Sequence, residues 1–128
     1  MSLVMMVEMD RRVSADVVRQ VLVRCGVDVL TDSNDGFTGN FPSSNMFFSF
    51  CKIVKRRVRA EDFEGGWDVG AEMTFVYVVS EMERCGKQLR YFVDCLSEIV
   101  ACNWVLSFQY ESVYAYGNAS SVYWVKEL

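Results

Sequence analysis

Carboxylates are the most plentiful chemical groups in this chain, and they gather in two places. Glu61, Asp62, Glu64 and Asp68 fall within eight residues with no cation between them, and Asp32 and Asp35 bracket the run Asp32-Ser33-Asn34-Asp35-Gly36. Paired carboxylates can hydrolyse a glycosidic bond. Both groups here lie in polar, turn-forming stretches where acids serve solubility, so no catalytic role is assigned to them. The Asp32 run resembles a fragment of a calcium loop, but its register differs from the EF-hand and the bidentate Glu at the twelfth position is missing. The chain has no histidine. That removes Ser-His-Asp and Cys-His catalysis, His-ligated metals and a His-based pH switch. The five cysteines (Cys25, Cys51, Cys85, Cys95 and Cys102) contain no CxxC pair, hence no redox motif or zinc knuckle. They read as small hydrophobes filling a core. Cys85, flanked by Arg84 and Lys87, has the best setting for a nucleophilic thiolate. The joins Asp10–Ser14 and Val79–Ser80 hold no glycine, which excludes a P-loop or Rossmann nucleotide site.

Lys52, Lys55, Arg56, Arg57 and Arg59 put five basic residues into eight positions. Beside aromatics, such a run could track a nucleic-acid backbone. In an extended strand these charges split over both sides, the net charge is −4, and the acidic segment follows directly. The block therefore reads as a solvated strand end or an internal partner of the acids. No enzyme activity, metal, cofactor or nucleic acid is expected.

These groups belong to a chain of 128 residues, 52% of them hydrophobic and 23% charged. The length predicts one domain, residues 1–128, able to bury about two-thirds of its unfolded surface, and the composition is too apolar for disorder. Unpaired thiols predict the reducing cytoplasm. The opening MSLVMMVEMDRR has no basic n-region and is broken by Glu8 and Asp10, so it makes a poor signal peptide. No apolar run approaches the ~20 residues that span a bilayer, and no membrane partner is expected. Asn118-Ala119-Ser120 matches a glycosylation acceptor and is read as a turn.

Patterning supplies the elements that must position these residues. Residues 3–9 read as a strand. Ser14 is a helix N-cap, Val17, Val18, Val21, Leu22 and Cys25 form one helical stripe, and Gly26 is the residue just past the helix end; the helix covers 14–25. Strands are expected at 27–31, 37–41 and 46–55, with a turn at 32–36 where Gly36 supplies positive φ. From Trp67 to Val79 the period is two, which marks a half-buried strand. Ser80-Glu81-Met82-Glu83 is a capping box opening a helix over 81–102, with Leu89, Phe92, Val93, Leu96, Ile99 and Val100 on one face. Residues 105–116 read as one strand, turned at Gly117-Asn118 and returned by 121–126. The fold class is α+β: one antiparallel or mixed sheet with two helices on one face, in the order β-α-β-β-β then β-α-β-β. Phe47, Tyr110, Tyr114 and Tyr123 are candidates for an exposed aromatic opposite face.

In size, acidity, free cysteines and missing catalytic residues, the whole chain resembles the small cytosolic immunity proteins of bacterial toxin–immunity pairs, including the contact-dependent growth inhibition type. The resemblance implies a non-enzymatic protein that binds and neutralises a cognate toxin domain, often a nuclease. Glu61, Asp62, Glu64 and Asp68 would then occupy a basic cleft on the toxin and speed encounter. Phe63 and Trp67 would be aromatic anchors, with Asp32 and Asp35 assisting and the tyrosines of 110–116 next in line. The alternative is a small-molecule-binding or regulatory domain, with a pocket between sheet and helices lined by Met and aromatic side chains. The sequence leaves the oligomeric state open.

Overall fold

Alternating apolar residues build the strands, and the computed structural model, which describes residues 3–119 and 121–128, joins eight of them into one sheet. The elements are β1 (Leu3–Asp10), α1 (Ala15–Arg24), β2 (Thr31–Ser33), β3 (Gly36–Asn40), β4 (Phe47–Arg57), β5 (Asp68–Tyr77), α2 (Met82–Ile99), β6 (Trp104–Phe108), β7 (Ser112–Asn118) and β8 (Ser121–Trp124). The sheet order is β2-β3-β4-β5-β1-β6-β7-β8, and every neighbouring pair is antiparallel. Both helices pack on one face, as expected for the α+β class. Met5, Val7 and Met9 of β1, Met73 and Phe75 of β5, and Trp104 and Leu106 of β6 meet Val18, Val21, Leu22, Leu89, Phe92, Val93 and Leu96 there, all of them buried. Phe37, Phe41, Phe48, Phe75 and Phe92 continue this core as a chain of edge-to-face and tilted rings.

The first helix follows its sequence. Ser14 Oγ accepts from the Val17 N–H at 3.2 Å, and Gly26 takes the left-handed conformation (φ 87°) after the last turn. Several other boundaries differ. Residues 27–30 form no strand, because Val27 is tied to the end of α1 by its N–H on the Leu22 carbonyl at 3.0 Å and buries its side chain. Only Thr31–Ser33 pairs with β3. Gly36 does not carry positive φ; it is a strand residue with one α-hydrogen so close to the Phe50 carbonyl that no Cβ fits in its place. The Ser80 capping box is not made. A 3₁₀ turn at Val79–Glu81 precedes α2, whose N-cap is Glu81 without a side-chain bond, and α2 stops at Ile99 because Val100 is extended. The single strand expected at 105–116 is broken at Gln109 and Tyr110, both left-handed (φ 51° and 67°), into β6 and β7. The next reversal lies one residue beyond Gly117-Asn118, which pair with Val122 and Ser121 in the sheet. Ala119 (φ 56°) begins that turn, and Ser120 of the acceptor motif lies outside the described residues. Gly117 is required in the strand because the Trp104 indole occupies the space of its Cβ. The split of 105–116 gives both halves the same order, strand, helix, three strands.

Candidate functional site

Strand alternation forces Glu8 onto the sheet face opposite the helices, in the most central strand, and there it is fully buried. A buried carboxylate needs partners, and the β4–β5 connection provides them. Glu8 Oε2 accepts from Arg56 Nη1 at 2.5 Å and from the Arg59 N–H at 2.8 Å, and Oε1 accepts from the Ala60 N–H at 3.0 Å. Arg56 also pairs with Glu72, whose Oε2 accepts from the Tyr110 hydroxyl at 2.5 Å. Arg56 reaches this position through a bulge. Lys52 opposes Ala71 and Arg56 opposes Val69, so residues 53–55 are looped out of the ladder, and a bulge re-aims the side chains beyond it. The basic block is therefore divided: Arg56 (15% exposed) is an interior ion and the Lys55 ammonium lies 3.6 Å from Asp68. Burial pushes the Tyr110 hydroxyl up to about 12, helped by its bond to Glu72. Met6, Ala60, Val69 and Val105 are buried outside the helix-side core.

Held at Glu8, the chain continues as a ridge across β6 and β7. The Glu61 N–H donates to the Tyr110 carbonyl at 2.6 Å, and Asp62 turns the chain in the left-handed region (φ 59°). Phe63 lies against Trp67 (centroids 6.3 Å, 70° between planes) and against Tyr116 (5.5 Å, 55°), and Tyr116 stacks on Tyr123 (5.2 Å, 23°). Gly65 permits this packing, since the Phe63 and Trp67 rings fill the place a Cβ would take. Four aromatic side chains thus run in series from the ridge to the edge strand β8. Two shallow grooves flank the ridge, one of about 370 Å³ beside Arg57, Val58 and Asp68, the other of about 380 Å³ beside Asn103, Tyr116 and Asn118. The far wall of the second is fixed by Asp10, which accepts from the Asn103 N–H at 2.8 Å and from Arg12 Nη2 at 2.6 Å. Burial pulls the Asp10 carboxyl upward, but Arg12 and the two backbone N–H donors outweigh it and hold it below its ordinary value.

The structure brings Glu61, Asp62, Phe63, Glu64, Trp67 and Asp68 together. Glu61, Asp62 and Glu64 are exposed and form no ion pair among the described residues, whereas Asp68 is matched by Lys55. Asp32 and Asp35 are not part of this surface. They lie at the β2–β3 turn, four strands from β1, about 19 Å away at the usual strand spacing, and Asp32 is paired with Arg19 at 2.6 Å. Of the tyrosines of 110–116, Tyr116 joins this aromatic surface, and Tyr114 does not belong there. Ala115 opposes Leu106 and Val113 opposes Ser107, so Tyr114 is the extra residue of a bulge and packs toward the helix-side core. Cys85 is buried, and its neighbours Arg84 and Lys87 are engaged with Glu81 and Glu83, so it has no accessible thiolate setting. Cys51 is exposed and not core, because its side chain points to the helix-free face opposite Glu72. All five cysteines are free, and burial pushes the Cys25 and Cys102 thiols up to about 12. No helix among the described residues is long and apolar enough to cross a membrane. Comparison of the chain with protein-family models, with curated proteins and with solved structures found no match.

Proposed function

We propose that this chain is a non-enzymatic binding protein whose acid-rimmed aromatic ridge docks onto a basic protein surface, as an immunity protein would bind and neutralise a cognate toxin domain. The observation that carries the reading is the ridge itself. Phe63 and Trp67 extend an aromatic series through Tyr116 and Tyr123, while Glu61, Asp62 and Glu64 beside them form no ion pair among the described residues. Aromatic anchors ringed by polar groups are what interfaces favour. Unpaired carboxylates supply long-range attraction to a basic partner such as a nuclease cleft. The ridge is also built on the central strand through Glu8, so it is held in place before binding, which lowers the ordering cost. The five free thiols accord with action in a reducing cytoplasm.

The test is kinetic. The partner is recovered from the native host by affinity purification, and association is followed across a range of salt. Reversing Glu61, Asp62 and Glu64 to Lys should slow association and flatten its salt dependence, with little change in fold stability because exposed charges contribute about 0–1 kcal/mol each. Association at an unchanged rate across all salt concentrations would remove the ridge from the interface.

A further inference from the structure

The two grooves beside the ridge have similar volumes and different charge. The groove on the β4 side has Arg57, Glu64 and Asp68 among its walls, and the Lys55 ammonium lies 3.6 Å from Asp68. Its acids therefore stand against cations of the chain itself. The groove on the β7 side, about 380 Å³, has Asp62 and Glu64 among its walls and no cation. Arg12 is bonded to Asp10 and is not one of those walls.

The other walls of the β7-side groove favour the same kind of guest. Phe63, Trp67 and Tyr116 pack on one another, yet each stays half-buried, so part of every ring is left open. The face of an aromatic ring is its negative side. Asn103 donates its side-chain N–H to Asp10 at 3.2 Å, and the oxygen that remains is an acceptor. Carboxylates, ring faces and an amide oxygen all attract a positively charged donor. A guanidinium suits them best among side chains: it is planar, always charged, and has five N–H donors and no acceptor. It stacks on aromatic faces and bonds carboxylates as a fork, whereas the ammonium of lysine is a compact, strongly hydrated point charge.

We propose that the β7-side groove receives an arginine side chain of the partner, with the guanidinium on the Phe63 and Tyr116 rings and its N–H groups directed to Asp62 and Glu64. The assignment rests on the ridge being the docking surface. It divides the three exposed acids by role. Glu61 is not a wall of the groove and supplies attraction at long range, while Asp62 and Glu64 also bond the guest.

Three capped pentapeptides test it, Gly-Gly-X-Gly-Gly with arginine, lysine or citrulline at X, each titrated into the full chain labelled with nitrogen-15. The arginine peptide should shift the Trp67 indole N–H and the Asn103 side-chain amide, and leave unmoved the Trp124 indole, which packs toward the helix-side core beside Arg90. Lysine should bind more weakly, and citrulline, which keeps the shape without the charge, should not bind. Asp62→Asn combined with Glu64→Gln should weaken the arginine peptide about tenfold, the scale of one lost hydrogen bond to a charged group. Asparagine tolerates the left-handed backbone of residue 62, so this variant keeps the ridge in place. The proposal is overturned if lysine or citrulline matches arginine, if the double variant binds arginine unchanged, or if no peptide moves Trp67 up to its solubility limit.

A second measurement, on the purified partner, separates this site from the ridge as a whole. Tyr116→Leu removes a ring face and keeps every acid. It should leave the association rate unchanged and speed dissociation about tenfold, the scale of one desolvated cation–ring contact. Unchanged dissociation would overturn the arginine site while leaving the ridge standing. Failure of the ridge itself reads differently, since the charge reversal at Glu61, Asp62 and Glu64 would then leave association unaltered. Should Tyr116→Leu unfold in a parallel melt, the peptide titrations decide alone.

Discussion

Glu8, Arg56, Glu72 and Tyr110 form a closed set in which each charge depends on the next. Removing one partner of a buried ion pair leaves the other desolvated and unpaid, which costs about 3–5 kcal/mol. Arg56→Met should therefore lower stability in urea unfolding by that amount, more than Arg57→Met or Arg59→Met, whose side chains are exposed. Tyr110 makes a second, pH-resolved prediction. Its folded-state value is raised to about 12, first by burial and then by Glu72, above the ordinary phenol value of about 10. Its contribution to stability is complete below about pH 10 and is lost as the pH rises from there through about 12. Absorbance titration near 295 nm should show a late phenolate component that Tyr110→Phe removes, and the wild-type stability should fall over the same interval. The sequence showed Glu8 and Asp10 only as interruptions of an apolar run. Alternation could place both on one face, but the bulge at 53–55 that brings Arg56 to Glu8 leaves no mark in residue type.

Helices were more legible than strand ends. The stripe in α1 and the Leu89–Leu96 face of α2 follow from period alone, and both faces are buried where expected. Leu96 is fully buried between α2 and the sheet, and Leu96→Ala should cost about 2–5 kcal/mol through lost transfer energy and a residual cavity; a loss under about 1 kcal/mol in chemical denaturation would contradict the packing. The β6–β7 break was hidden because a left-handed turn normally advertises itself with Gly or Asn, and here Gln109 and Tyr110 occupy it. That strain is open to test. Gln109 is exposed, and Gln109→Gly should raise the melting stability by about 1 kcal/mol, since the left-handed conformation costs an L-residue about 1–2 kcal/mol. Glycine spacing misled in the opposite direction at Gly36 and Gly117, which mark close approaches of other groups and not reversals.

Across the whole molecule the sheet has one face covered by helices and one face half covered by the chain between β4 and β5. Composition and alternation were enough to read the α+β class and the single layer of helices. They could not show which half of the bare face is covered, because that depends on a loop that leaves β4, passes over β5 and is held by Glu8 of β1. The acidic segment was visible as a cluster; its aromatic neighbours Tyr116 and Tyr123 come from a different part of the chain and join it only through tertiary packing. If the ridge is anchored as described, amide hydrogens of Arg59 and Ala60 should exchange as slowly as core-strand amides, and Glu8→Gln should speed their exchange while leaving α1 and α2 protected. Equal protection in both proteins would show that Glu8 does not hold the segment.

The place of β1 carries a kinetic consequence. It is bound on one side by β5 and on the other by β6, so Met5 sits opposite both Phe75 and Phe108. The meander β2-β3-β4-β5 and the meander β6-β7-β8 can each zip up from neighbours close in the chain, yet they share no edge until β1 has been inserted between them. Loop closure over such separations is entropically expensive, and sheets assembled from distant pairings fold in milliseconds to seconds, not microseconds. The rate-limiting barrier is thus expected at the capture of β1. Substitutions such as Val7→Ala should slow refolding in proportion to the stability they remove, while equally destabilising changes in β8 should act almost wholly on unfolding.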